Sequence, residues 1–161
     1  MSGDRTYTPG WVVDDMIRHF QPSGSVLDPC RGNGEFSDKL GCDWCEIDEG
    51  KDFLAYAGSV DWIISNPPYS KLNKFTRKAM QVADNVVWLV PVWKMMQAYG
   101  LVRAIYDFGG LEHIRWYGTG GSLGFPMGNG IGAVHISRKA GLETSTSFFN
   151  PPKAANPEVS K

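Results

Sequence analysis

The chain is 161 residues long and 17.8 kDa, a length that supports one domain burying roughly 70% of its unfolded surface. A 42% hydrophobic and 20% charged composition excludes wholesale disorder, and the longest apolar run, VVWLVPVW at 86–93, is far short of the ~20 residues of a membrane span. Sixteen basic against seventeen acidic residues give a net charge of −1, which excludes a protein that grips duplex DNA by bulk charge alone.

The chain opens on MSGDRTYTPG, which lacks the apolar core of a secretory signal, so a soluble, cytoplasmic protein with no membrane contact is expected. Thr8-Pro9 reads as a helix start, with Thr8 as the cap. Val12, Val13, Met16, Ile17 and Phe20 then recur at helical spacing until Gln21-Pro22. A short strand over Ser25–Asp28 leads into the turn PCRGNG, a helix over Glu35–Leu40 and a second strand near Asp43–Ile47 that includes Cys45. Asp61–Ser65 is a buried strand broken by Asn66-Pro67-Pro68-Tyr69. Lys71–Ala83 is helical, Asn85–Val90 a strand and Met95–Tyr106 one further helix. Strands over Leu111–Tyr117 and Ile131–Ser137 flank a loop with seven glycines between Gly118 and Gly132. From Ala140 periodicity is lost, and 140–161 is expected to be a flexible tail behind a catalytic domain of residues 1–139.

Strands alternating with helices predict an α/β fold with a mostly parallel sheet and helices on both faces. Ligands in such sheets bind outside the carboxyl ends of the strands, and two turns there stand out. In VLDPCRGNGEF (26–36), Gly32 and Gly34 let backbone approach a ligand, though the spacing is not the GxGxxG of dinucleotide sites. In DWIISNPPY (61–69), two prolines rigidify the backbone, so the Asn66 amide and the Pro67 carbonyl can be held as paired acceptors for an exocyclic amine. Tyr69 adds a flat face. A second Asn-Pro-Pro, at 150–152, follows no apolar strand and ends in Lys153, so it reads as a turn only. Cys30, Cys42 and Cys45 are too few for a disulfide framework, and Cys42-Asp-Trp-Cys45 lacks the second half of a zinc site, so no metal is expected.

YTPGWVVDDMI, DPCRGNGEF, CEID, KDFL and NPPY, in that order over about residues 6–137, resemble the S-adenosylmethionine-dependent DNA N6-adenine methyltransferases with cofactor motifs ahead of the catalytic one. The resemblance implies a class I methyltransferase (Rossmann-like) fold with S-adenosylmethionine as cofactor. It places Tyr7, Thr8 and Pro9 at the methionine end. Asp28, Pro29, Cys30, Gly32 and Gly34 come to the amino and carboxylate groups, Glu46 to the ribose hydroxyls, and Ile47, Asp52 and Phe53 to the adenine. Asn66, Pro67, Pro68 and Tyr69 form the catalytic turn. Lys71, Lys74 and Lys78, on one helix face beside it, and Phe125 are substrate-binding candidates.

Two departures stand out. Five residues between Glu46 and Asp52 leave no room for the helix and strand many relatives insert, so a trimmed sheet is expected. Nothing after residue 137 is long enough for a target-recognition region, which points to a minimal catalytic domain with DNA as partner and to a second copy or a separate recognition subunit. RNA in place of DNA, and a non-catalytic cofactor-binding subunit, remain as alternatives. Cytosine N4 is disfavoured because relatives acting there usually carry Ser at the position of Asn66.

Overall fold

The computed structural model describes residues 7–125 and 128–149. The second Asn-Pro-Pro and the segment 150–161 lie outside the described residues. Helix α1 (Gly10–Phe20) precedes β1 (Val26–Asp28), α2 (Glu35–Leu40) and the two-residue β2 (Asp43–Trp44). Then follow β3 (Val60–Ser65), α3 (Leu72–Val82), β4 (Ala83–Pro91), α4 (Val92–Met96) and α5 (Tyr99–Phe108). Strands β5 (Leu111–Thr119), β6 (Gly130–Ser137) and β7 (Ser145–Phe148) are the last among the described residues.

The seven strands form one sheet in the order β2-β1-β3-β4-β6-β5-β7. All pairings are parallel except those of β6, which runs antiparallel to both β4 and β5. From β1 the chain steps one way to β2 and then back past β1 to β3. The β1/β3 boundary is therefore the point where strand order reverses and a crevice opens at the carboxyl ends. Alternation along β3 and β4 separates two cores. Ile63, Val86, Trp88 and Val90 face α3, α4 and α5, while Ile64, Val87 and Leu89 face α1 and α2. Trp88, fully buried, donates its indole N–H to the Thr76 hydroxyl at 3.1 Å.

Three elements differ from expectation. The segment predicted as one helix from Met95 is two, because the chain breaks at Gln97-Ala98, where Ala98 is extended (φ −101°, ψ 103°). Part of the expected tail is a strand: β7 pairs with β5, and the His113 ring is bracketed by the Ser145 and Ser147 hydroxyls at 2.6 and 2.8 Å. Its period was masked by Ser and Thr, which edge strands accept. Cys45 lies one residue past β2, and its N–H still bonds the Asp28 carbonyl at 2.9 Å.

The expected trimming is present. Between β2 and β3 stand only two single 3-10 turns, Ile47–Glu49 and Phe53–Ala55. The shortened edge is closed by side chains instead, with Arg31 4.4 Å and Lys51 3.6 Å from the Trp44 ring. On the other side α1 is locked to β5. Buried Asp15 takes Arg115 Nε and Nη2 at 2.7 and 2.9 Å and the Tyr117 hydroxyl at 2.7 Å. Burial alone would raise the Asp15 carboxyl, but these partners hold it below its ordinary value. Among the described residues no helix is long and apolar enough to cross a membrane.

Candidate functional site

The turns after β1, β2 and β3 enclose a cavity of about 610 Å³ at the reversal point of the sheet. Its wall includes Tyr7, Pro29, Cys30, Gly32, Glu46, Ile47, Asp52, Phe53, Asn66, Pro67, Pro68, Tyr69 and Lys71, all singled out from the sequence. Asp48, Glu49, Leu54, Ser70 and Phe75 also line it and were not singled out. Asp48 and Glu49 come from the first 3-10 turn after β2. Phe75 reaches it from the buried face of α3.

Each wall is set by local chemistry. Gly32 and Gly34 both lie at positive φ (53° and 89°), which bends the chain from β1 into α2. A Cβ at Gly34 would stand 2.7 Å from the Asp38 carboxylate, so this glycine serves the helix start and does not reach the cavity. The Glu46 carboxylate ties two walls together, accepting from the Gly32 N–H at 3.0 Å and the Asp48 N–H at 3.4 Å. Each of its oxygens retains a second lone pair for a ligand hydroxyl. Asp52 caps the second 3-10 turn by accepting from the Leu54 N–H at 2.9 Å. Ile47 is 60% exposed at the lip, and Phe53 closes the floor at 2%.

Asp28 does not line the cavity. It is fully buried, accepting from the Cys30 N–H (3.2 Å), the Ser37 N–H (3.2 Å) and the Ser65 hydroxyl (2.7 Å). Desolvation pushes its carboxyl up to about 6 against those three bonds. It therefore holds the turn that holds the site. Desolvation also raises the Cys30 thiol well above its ordinary value, so Cys30 faces the cavity as a neutral thiol.

The Asn66 turn receives its support from an unexpected quarter. Thr8 does not cap α1; the helix starts on Pro9, whose carbonyl accepts from the Val12 and Val13 N–H groups. The Thr8 hydroxyl, itself buried, accepts from Asn66 Nδ2 at 3.1 Å. That bond engages the nitrogen of the amide. Thr8 and Pro9 thus stand behind the cavity wall, and Tyr7 stands in it.

Among the substrate candidates, Lys71 lines the cavity, Lys74 is exposed on α3 and Lys78 is half-buried further along it. Tyr69 lines the cavity but is only 8% exposed, its ring being packed with Leu72 and Phe75. Phe125 is a correction. It is 5% exposed in the core of the opposite sheet face, with Val12, Leu123 and Ile131, so no base can stack on it from the cavity. In the described part of the glycine loop, Leu123 and Phe125 are buried in the same cluster. Among the described residues no group of three or more His, Cys, Asp or Glu side chains is placed to hold a metal.

No family model and no curated protein sequence matches the chain. Solved structures do. A candidate class I S-adenosylmethionine-dependent methyltransferase from Listeria monocytogenes superposes with a TM-score of 0.66 at 15% identity, over 92% of this chain and 67% of that one. The fold is that of the class I methyltransferases. A candidate RNA methyltransferase from Pyrococcus horikoshii matches this methyltransferase fold with a TM-score of 0.60 at 16% identity, over 83% of this chain and 87% of that one. The modification subunit of a candidate type I restriction enzyme from Vibrio vulnificus YJ016 matches with 0.62 at 16% identity, over 94% of this chain and 49% of that one. The chain spans about half the length of that subunit.

Proposed function

We propose that the cavity binds S-adenosylmethionine and that the chain transfers its methyl group to the exocyclic N6 amine of adenine in DNA. The observation that carries this reading is the sharing of one cavity by the Glu46 turn and the Asn66 turn, which the resemblance assigns to cofactor and target.

The wall fits the cofactor chemically. Glu46, Asp48, Glu49 and Asp52 make an acidic rim suited to hydroxyls, an ammonium and a sulfonium and unsuited to phosphates. Exposed Ile47 offers an apolar face for a purine, and Asp52 and the Phe53 backbone carry acceptor and donor for its edge. Bound S-adenosylmethionine supplies an electrophilic methyl group on a positively charged sulfur. The remaining work is alignment.

An adenine amine is a poor nucleophile because its lone pair is delocalised into the ring. The Asn66 carbonyl and the Pro67 carbonyl, accepting its two N–H groups, favour a pyramidal nitrogen and stabilise the positive charge that grows on it. Thr8 keeps the amide from turning its nitrogen toward the substrate. The Tyr69 ring edge at the wall borders the space for a flipped-out base.

Two substitutions test the division of labour. Glu46→Ala is expected to weaken S-adenosylmethionine binding by about 1–3 kcal/mol in calorimetry, through lost hydrogen bonds to the ribose. Asn66→Ala is expected to leave that affinity within about twofold and to slow methyl transfer at least ~100-fold. Wild-type turnover in the Asn66 variant would reduce the motif to a turn.

A further inference from the structure

A basic and aromatic surface lies beside the cavity, on the side away from the acidic rim. Strand β4 pairs with β3 in register Ser65↔Trp88 and continues through Leu89, Val90 and Pro91 before α4 begins. It therefore reaches past the end of β3 and sets α4 next to the Asn66 turn. Val92 and Met95 point inward into the core cluster that contains Tyr69. Their neighbours face solvent: Trp93 is 46%, Met96 38% and Tyr99 80% exposed, three large apolar side chains within seven residues.

Charge is distributed to match. From residue 62 to residue 107 the chain carries six bases, Lys71, Lys74, Arg77, Lys78, Lys94 and Arg103, and two acids, Asp84 and Asp107, the latter paired with Arg103 at 2.9 Å. Asp84 pairs with Arg138 at 2.7 Å. The Lys94 ammonium lies 5.8 Å from the Trp93 ring. Arg77 Nη2 donates to the Gly100 carbonyl at 2.9 Å, which fastens the lysine helix α3 to the start of α5, next to Tyr99 in sequence.

We propose that Trp93 and Tyr99 form a stacking platform for bases of a single DNA strand whose target adenine sits at Asn66, with Lys71, Lys74 and Lys94 meeting its phosphates. The proposal rests on the methyltransferase reading and adds to it the form of the substrate. Single strands bind by alternating these two chemistries, flat faces on aromatic rings and phosphates on lysines. A duplex hides its base faces, and an acidic peptide would meet the lysines but give an indole and a phenol nothing flat to stack on. Val92 and Met95, both buried, anchor the inner face of α4 in the core while Trp93 stays exposed.

The test is fluorescence anisotropy of a short labelled single-stranded DNA, its duplex and a polyglutamate peptide, over a range of salt, on the full chain. Trp93→Ala and Tyr99→Ala are each expected to weaken single-strand binding about tenfold with the salt slope unchanged, since rings and not charges are lost. Trp93→Phe should restore most of the affinity, and S-adenosylmethionine affinity should stay at the wild-type value in all three variants. In turnover the loss should appear in KM with kcat retained. Wild-type strand affinity in both alanine variants, or polyglutamate binding equal to that of DNA, overturns the platform while methyl transfer by the wild type leaves the methyltransferase reading standing. A wild type that binds cofactor, binds no strand and transfers no methyl overturns both.

Discussion

Asp28 and Thr8 show how single side chains set this site from behind its wall. Asp28 has no exposed surface, yet its carboxylate collects donors from the glycine turn, from α2 and from the end of β3. Because burial raises its carboxyl to about 6, the folded chain binds a proton more readily than the unfolded chain between about pH 4 and 6. Its contribution to stability is therefore greatest below the unfolded value, declines as pH rises through 6 and is then constant, a loss of roughly 3 kcal/mol. Urea unfolding of wild type and Asp28→Asn should show their stability difference shifting against the wild type over that window. A pH-independent difference would mean that Asp28 does not titrate as its burial requires. Glu46 and Asn66 were legible because short motifs around them restrict their neighbours. The Thr8–Asn66 bond was not, since a threonine before a proline reads as a cap and nothing local shows a partner so distant in sequence. Phe125 was misjudged for a related reason: its position along the chain does not tell which sheet face it enters.

At the level of elements, β1, β3 and β4 were legible from apolar runs, because central strands are buried on both faces, and α2 and α3 followed from the segments after β1 and β3. Elements at the margin were not. The break between α4 and α5 has neither proline nor glycine inside it, and β7 is written in Ser and Thr. Strand β7 is held by side chains as well as by its ladder, through Ser145 and Ser147 on the His113 ring and Ser147 on Arg115 Nη1 at 3.2 Å. Replacing both serines with alanine should lower unfolding stability by about 1–3 kcal/mol and speed amide exchange in 145–148 ahead of the central strands. Unchanged exchange there would show that backbone pairing alone seats the strand. Nearby, burial lowers His135 to about 4, so its ring stays neutral at ordinary pH, with Nε2 bonded to the Asn85 side-chain oxygen Oδ1 at 3.0 Å.

Across the whole molecule, a net charge near zero conceals two opposed halves. Residues 42–61 carry six acids against Lys51, four of them at the cavity, whereas residues 62–107 carry six bases against Asp84 and Asp107, with Lys71, Lys74 and Lys94 on the surface beside it. The first suits a cationic cofactor, the second a polyanion, and the reversal point of the sheet lies between them. So small a basic surface neutralises only a few phosphates, and extracting a base from a duplex costs a few kcal/mol more. Single strands are therefore the expected substrate, with duplex activity weak and lost steeply as salt rises. The central claim is tested most directly by transfer of a labelled methyl group from S-adenosylmethionine to matched single- and double-stranded DNA, RNA and protein, followed by nucleoside analysis. The account predicts N6-methyladenine in DNA, formed faster in the single strand than in its duplex. Label appearing only in RNA or protein, or no label in a chain shown to bind the cofactor, would contradict it.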